Sequence, residues 1–291
     1  MVSENYLSRW AVLIPFIGMD QDDWMAGRTF RPNFLDSLNA SRYTFGKLTA
    51  KELEMMNYDA FLQLVQKQRS IRRFKPDPLP DEFIDKIIEA GRFAPSGANS
   101  QPWEIVVVKD KEIKDQIVEI LKEANVGNYK LGQTRPKEEQ HPGDRRLHLH
   151  PGFQHAPVFF VLFYDKRLKT TYPLSAQAYS CESVTHSSMA NIFLYMHMAA
   201  TCLGLASQWI TATAQPLPQA LIKQLLDVPR EFILYDTMIA GYPDQSPPPR
   251  LVRPAAEFTH INRYNRNKYR YDEQVKEFIR AIHQGRSTMP D

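Results

Sequence analysis

The stretch "FAPSGANSQPW", Phe93 to Trp103, decides how this chain is read. Two prolines and a glycine interrupt any helix, and Ser96, Asn99, Ser100 and Gln101 form a polar run closed by Trp103. Pro95 keeps the residue before it out of the α region. Gly97 and Ala98 carry little or no side chain, so a ligand can approach the backbone. Asn99 and Gln101 offer amides that both donate and accept. Such a run suits a planar heterocycle with alternating donors and acceptors. It equally suits a plain turn between a helix and a strand, with Trp103 packed in a core.

The flanks are periodic. "DEFIDKIIEAG" (Asp81 to Gly91) sets Phe83, Ile84, Ile87 and Ile88 at the spacing of one buried helical stripe. Pro80 and Asp81 are its start signals, and Gly91 lies close to its expected stop. "YDAFLQLVQKQ" (Tyr58 to Gln68) puts Phe61, Leu62, Leu64 and Val65 on one helix face. After the opening stretch, "EIVVV" (Glu104 to Val108) reads as a buried strand and "DKEIKDQIVEILKEA" (Asp110 to Ala124) as an amphipathic helix. "PVFFVLFY" (Pro157 to Tyr164) predicts a second strand and Ser183 to Leu203 a long helix rich in Ala and Met. Leu205 to Thr211 and Phe232 to Tyr242 predict two more strands, and Tyr271 to His283 a final helix. The connections are long and irregular, unlike the alternation of a doubly wound fold. No GxGxxG follows a strand and no GxxxxGK[ST] occurs, which disfavours Rossmann-type and P-loop chemistry.

Composition narrows the classes further. The 291 residues are 43% hydrophobic and 24% charged, an ordinary globular balance, and the formal net charge of +3 is too small to argue for nucleic acid or an anionic membrane. The longest apolar run, Ala11 to Met19, is interrupted by Pro15 and too short to span a bilayer. No export signal is read, so a cytoplasmic location is expected. Cys181 and Cys202, without a CxxC, read as reduced packed thiols. Residues 1–57 carry scattered aromatics (Tyr6, Trp10, Phe16, Trp24) and read as an extension lying along a surface.

Two further segments could bear on a ligand. "QRSIRRF" (Gln68 to Phe74) brings Arg69, Ser70, Arg72 and Arg73 after a helix, where arginine forks and a hydroxyl fit a phosphate. On composition alone the segment reads more readily as a solvated basic turn. "GYPDQSPPPRLVR" (Gly241 to Arg253) follows a strand, and Arg250 or Arg253 could fold back to the same phosphate. His141, His148, His150 and His155 cluster without a completing carboxylate or cysteine, and no metal site is read from them. "RYNRNKYRYDE" (Arg263 to Glu273) interleaves basic and aromatic residues but reads as a tail on a partner subunit rather than a nucleic-acid site.

Taken together, Arg-Ser-x-Arg-x-Phe at Arg69 to Phe74, Ala-Pro-Ser-x-x-Asn-x-Gln-Pro-Trp at Ala94 to Trp103, "LGLASQWI" and "GYPDQSPPPRLVRP" resemble the FMN-dependent nitroreductase family over Tyr58 to Arg253. The resemblance implies an α+β, three-layer sandwich: a central, mainly antiparallel sheet flanked by helices, in an obligate homodimer. It implies an FMN-binding domain over residues 58–256, with residues 257–291 clasping the partner. Arg69, Ser70 and Arg72 would hold the phosphate and ribityl chain, although Gln68 stands where the family often has a basic residue. Pro95, Ser96 and Asn99 would line the flavin of the facing subunit or the same one, with Asn99 on the pyrimidine edge. Trp209, Ile210 and Thr211 would lie by the isoalloxazine, with a backbone N–H near N5. Arg253 would be the late phosphate ligand, and Arg72 the cation near N1 and O2.

The implied activity is an FMN-dependent oxidoreductase passing electrons from NADPH or NADH to a nitroaromatic, quinone or enone. No acid–base catalytic side chain is required. The family's deiodinase branch is an alternative, through "APSGA" and Asn128-Tyr129. Its lid motif is incomplete: Asn125 stands four residues before Tyr129, where a Glu is wanted, although Lys137 follows. A flavin-binding sensor without turnover is the rival from another class.

Overall fold

Val158 to Phe163 are buried on both faces, which few segments of a small sheet can be. A strand with no polar face must lie at the centre of three layers. The computed structural model describes residues 57–137, 140, 152–247 and 250–287. The chain divides into two compact units, residues 1–57 and 58–291, and apart from Asn57 the described residues belong to the second.

The helices are α1 (Tyr58–Lys67), α2 (Asp81–Arg92), α3 (Lys111–Gly132), α4 (Leu174–Tyr179), α5 (Cys181–Cys202), α6 (Pro216–Leu225), α7 (Ala255–Phe258) and α8 (Asp272–Ser287). The strands are β1 (Trp103–Val108), β2 (Val158–Asp165), β3 (Ala206–Ile210) and β4 (Phe232–Gly241), in spatial order β1-β2-β4-β3. All three pairings are antiparallel, and the β2–β4 register shifts once, between Leu162 and Phe163.

Alternation along β2 sorts the core. Phe159, Val161 and Phe163 pack with Ile117, Val118 and Leu121 of α3 and Ile222 of α6. Val158, Phe160 and Leu162 meet Ile84 and Ile87 of α2 and Met189, Ile192, Phe193 and Met196 of α5. The result is an α+β sandwich of helix, sheet and helix, as the resemblance implies.

Local chemistry sets the boundaries. Asp110 caps α3 by accepting the Ile113 N–H at 2.9 Å. α3 runs on past Ala124 to Gly132, and α5 starts earlier than read, at Cys181. α2 ends at Arg92, one residue past Gly91, close to where the sequence places its stop; Gly91 is also buried against α5, where a Cβ would come 2.9 Å from Met196 Cγ. The apolar face of α1 is uncovered, with Tyr58 69%, Phe61 58% and Leu62 36% exposed. Among the described residues no helix is long and apolar enough to cross a membrane.

Phe160, fully buried on the α2/α5 side, gives the direct test of this layering. Phe160→Ala is expected to lower the unfolding free energy by about 3–5 kcal/mol in urea titration, and a loss below about 1 kcal/mol would contradict the packing.

Candidate functional site

β3 is an edge strand, paired to β4 on one side only. On its other side the Ile71 N–H donates to Ser207 O at 3.1 Å, and Ser70 forms a parallel bridge to Ser207. The chain then crosses to the end of β4. There the Lys75 N–H donates to Tyr242 O at 2.9 Å and the Asp244 N–H to Arg73 O at 3.0 Å. Gln245 Oε1 accepts both the Arg72 N–H (3.0 Å) and the Arg73 N–H (2.8 Å). Ile71 and Phe74 anchor this strap in the core, which leaves Arg72 exposed. A Cβ on Gly152 would come 2.5 Å from Arg72 O, so the backbone at that glycine lies directly against the strap.

The strap covers β3 only at Ser207. Main-chain groups on an antiparallel strand alternate between its two edges. Trp209 therefore turns its N–H and C=O to the same edge as Ser207. Ile210 is buried and leads to exposed Thr211, where a 3-10 turn begins. Thr213 Oγ1 closes that turn on Ile210 O at 3.0 Å.

The side chains behind this edge form a compact polar–aromatic group. Trp209 Nε1 donates to Asp236 Oδ2 at 2.6 Å. Its ring stacks on Phe193 at 4.3 Å and near-parallel to His197 at 5.9 Å. His197 Nδ1 and Ser207 Oγ are 2.6 Å apart. His197 Nε2 and Gln208 Oε1 are buried without a hydrogen-bond partner among the described residues. Burial pushes the Asp236 carboxyl up to about 6, with the Trp209 indole opposing the shift. Burial pushes His197 down to about 4, so its imidazole is neutral at physiological pH.

The opening stretch makes a second group. Gly97–Asn99 is one 3-10 turn, and Ala98 (φ 51°), Asn99 (φ 50°) and Gln101 (φ 43°) are all left-handed without being glycine. Such strain persists only where surrounding contacts over-determine it. They do so here. Ser188 Oγ accepts the Gly97 N–H at 3.0 Å, Asn191 Nδ2 donates to Pro95 O at 2.9 Å, and Ser96 Oγ accepts the Gln101 N–H at 3.0 Å. A Cβ on Gly97 would collide with Val184 of α5. Pro95, Ser96 and Gly97 face Ser183, Ser187 and Asn191 across a cavity of ≈ 330 Å³. Trp103 is half-buried in β1 rather than sunk in the core.

The expected residues thus fall into three places. Arg69, Ser70 and Arg72 join Trp209, Ile210 and Thr211 along the β3 edge. Pro95, Ser96 and Asn99 lie against the N-terminal half of α5. Arg253 stands with the C-terminal elements: its Nε lies 3.4 Å from Glu257 Oε2, and its guanidinium is near the Phe258 and Phe278 rings at 5.5 and 6.0 Å. Asn128 and Tyr129 lie on α3. Cys181 and Cys202 are free thiols. Among the described residues no group of three or more His, Cys, Asp or Glu is placed to hold a metal; His141, His148 and His150 fall outside them. Sequence reasoning missed Asp236, His197 and Gln245. Asp236 had a signal, being the single acid in an otherwise apolar strand.

The Nitroreductase family model matches residues 65–242, more than half of the chain. The chain belongs to the nitroreductase family, a class of flavin oxidoreductases. An Archaeoglobus fulgidus protein named as an NADH dehydrogenase/NAD(P)H nitroreductase is 28% identical over 62% of this chain and 84% of its own length. Rat iodotyrosine deiodinase 1 is 34% identical over 38% of this chain, and that match spans only 36% of the deiodinase. The structure of an iodotyrosine deiodinase bound to FMN and 3-iodo-L-tyrosine superposes with a TM-score of 0.56 over 70% of this chain and 99% of its own, at 24% identity.

The residues fit a flavin on three observations. The Trp209 amide faces an edge that the strap leaves uncovered beyond Ser207, the basic strap is fixed beside it, and a strained, amide-bearing turn flanks a small cavity.

The buried pair makes a pH prediction. The unfolded Asp236 carboxyl ionises first, so its raised pKa removes stability as pH rises from about 4 to about 6. The unfolded imidazole protonates first, so the lowered His197 pKa removes stability as pH falls from 6.5 to about 4. Asp236→Asn is expected to abolish a titration of the Trp209 indole N–H resonance centred near pH 6 and to leave only the His197 slope. An unchanged titration would sever Asp236 from Trp209.

Proposed function

We propose that the protein binds FMN along the β3 edge and passes electrons from NADPH or NADH to a small organic acceptor of the nitroaromatic, quinone or enone type. The observation that carries this reading is the strap. Gln245 and Ser207 hold the Arg69–Arg73 main chain beside the Trp209 edge, which joins the phosphate-type and ring-type residues that lie far apart in sequence. FMN, when bound, supplies hydride acceptance from a nicotinamide and delivery to a second substrate. Arg69, Ser70 and Arg72 serve its phosphate and ribityl chain, and Arg72 brings positive charge to the reduced ring. Trp209, Ile210 and Thr211 offer main-chain donors. The Phe193–Trp209–Asp236 stack holds that strand in one position.

The reading includes a homodimer. Phe61 and Leu62 of α1 and Leu194 and Tyr195 of α5 are exposed apolar side chains, and an apolar face of this kind is covered by a partner. The Pro95–Asn99 turn of one chain would complete the flavin site at the β3 edge of the other, with residues 257–291 clasping the partner. Arg253 would close on the phosphate from the end of the 58–256 domain, just before that tail.

The deiodinase relatives support a second reading, reductive removal of halide from a halotyrosine. Asn125 in place of the lid Glu weighs against it, and α3 continues as helix through that position.

Anaerobic addition of NADPH or NADH to the FMN-loaded protein separates the readings. Rapid bleaching of the flavin band, followed by reoxidation with a quinone or nitroaromatic, is the expected result. A flavin that neither nicotinamide reduces but that, after dithionite, is reoxidised by 3-iodotyrosine would move the protein to the dehalogenase branch. A bound flavin with no turnover in either assay would make it a sensor. Arg72→Ala is expected to weaken FMN binding by about tenfold or more, the loss of a charge-assisted contact.

A further inference from the structure

Away from the β3 edge, the segment from Pro76 to Leu79, the helices α2 and α3 and the start of β2 line a partly open cavity of ≈ 630 Å³, in the range that takes a small organic ligand. Its polar lining is dominated by lysine. Lys111 pairs with Asp115 at 2.5 Å, Lys122 with Glu119 at 2.6 Å and Lys109 with Asp81 at 2.8 Å. Lys114 differs. It is 9% exposed, and among the described residues its Nζ donates to the carbonyls of Ala156 (3.0 Å) and Pro157 (2.9 Å) alone. Among the described residues no carboxylate pairs with it.

A buried ammonium is expensive unless a counter-charge stands beside it. Two neutral carbonyls use two of its three donors and the Phe159 ring lies 5.9 Å from Nζ, which leaves one N–H without a hydrogen-bond acceptor among the described residues. Burial accordingly pushes the Lys114 pKa down, with Asp115 and Asp110 opposing from a distance and Lys111 adding to it. The wall also carries Asp115, Glu119, Gln154 and His155, and its apolar part is formed by Leu79, Ile84, Val118 and Val158 with Pro76, Pro78 and Pro157. With Lys109, Lys111 and Lys122 paired, Lys114 is left as the lining lysine that no carboxylate among the described residues neutralises, in a wall it shares with Leu79, Ile84, Val118 and Val158.

We propose that this cavity binds a small organic carboxylate with an apolar body, its carboxylate on Lys114 Nζ and its body against Leu79, Ile84, Val118 and Val158. A single remaining charge and a single remaining donor match a monoanion, not a phosphate dianion. The site is separate from the flavin reading and does not depend on it.

The test is calorimetric titration of the full chain, carrying whatever flavin it holds, with 4-phenylbutyrate, the neutral 4-phenylbutyramide and inorganic phosphate. Saturable binding of the acid is expected, weaker by about tenfold or more for the amide and for the acid against Lys114→Met. The flavin band should not move. Equal binding of acid and amide, no saturable binding into the millimolar range, or tighter binding of phosphate would overturn the proposal. So would acid binding that survives Lys114→Met, above all with a shifted flavin band, which would put the acid at the flavin site. A purely structural lysine would lower the thermal midpoint of Lys114→Met and leave the acid-to-amide ratio unchanged. If Lys114→Met fails to fold, the acid-to-amide ratio on the native chain decides.

Discussion

β2 has no face it can show to water. Its alternation sends phenylalanines to α3 and α6 on one side and to α2 and α5 on the other. That demand for cover on both faces puts β2 and its partner β4 at the centre and leaves β1 and β3 as edges. An edge strand carries main-chain donors and acceptors that need partners. In β3 the strap from Arg69 to Phe74 satisfies only the part around Ser207, because Ile71 and Phe74 must turn into the core. The uncovered amide at Trp209 is therefore a consequence of the layering, and the candidate flavin site follows from it.

The group behind that edge is built to stay still. Trp209 is held by a stack on Phe193 and by a 2.6 Å bond to a carboxylate that burial keeps close to half-protonated near pH 6. His197, on the far side of the stack, is kept neutral by the same burial and tied to Ser207, the residue that also receives the strap. The two titrations act in opposite directions between about pH 4 and 6, so they partly cancel in overall stability while each reports on its own neighbour.

Much of this was legible beforehand, for physical reasons. β1, β2 and β4 announce themselves as β-branched or aromatic runs, whereas β3, Ala-Ser-Gln-Trp-Ile, carries a weaker signal. The stripes of α2 and the first half of α3 are strongly periodic. The resemblance carried by Arg69 to Phe74 and Ala94 to Trp103 pointed to the family that the chain belongs to. The misses have causes as well. α6 begins "PLP", and prolines in a first turn are easily taken for a loop. α3 passes through Gly127 because the helix there is exposed and nothing opposes it. The Trp209–Asp236 bond joins neighbouring strands, and only the register, Trp209 opposite Met238, brings the two within reach. Gln245 sits in a proline-rich loop with no local mark of its clamp on Arg72 and Arg73.

The central claim is that the clamped strap beside the β3 edge forms a flavin-binding surface. The most direct measurement is an FMN titration, followed by quenching of flavin fluorescence, on the native chain and on Gln245→Ala. The account predicts saturable, stoichiometric binding by the native protein and clearly weaker binding when the clamp is removed, with the fold retained. A native chain that takes up no FMN would contradict it, and so would a Gln245→Ala protein that binds FMN as tightly as the native one.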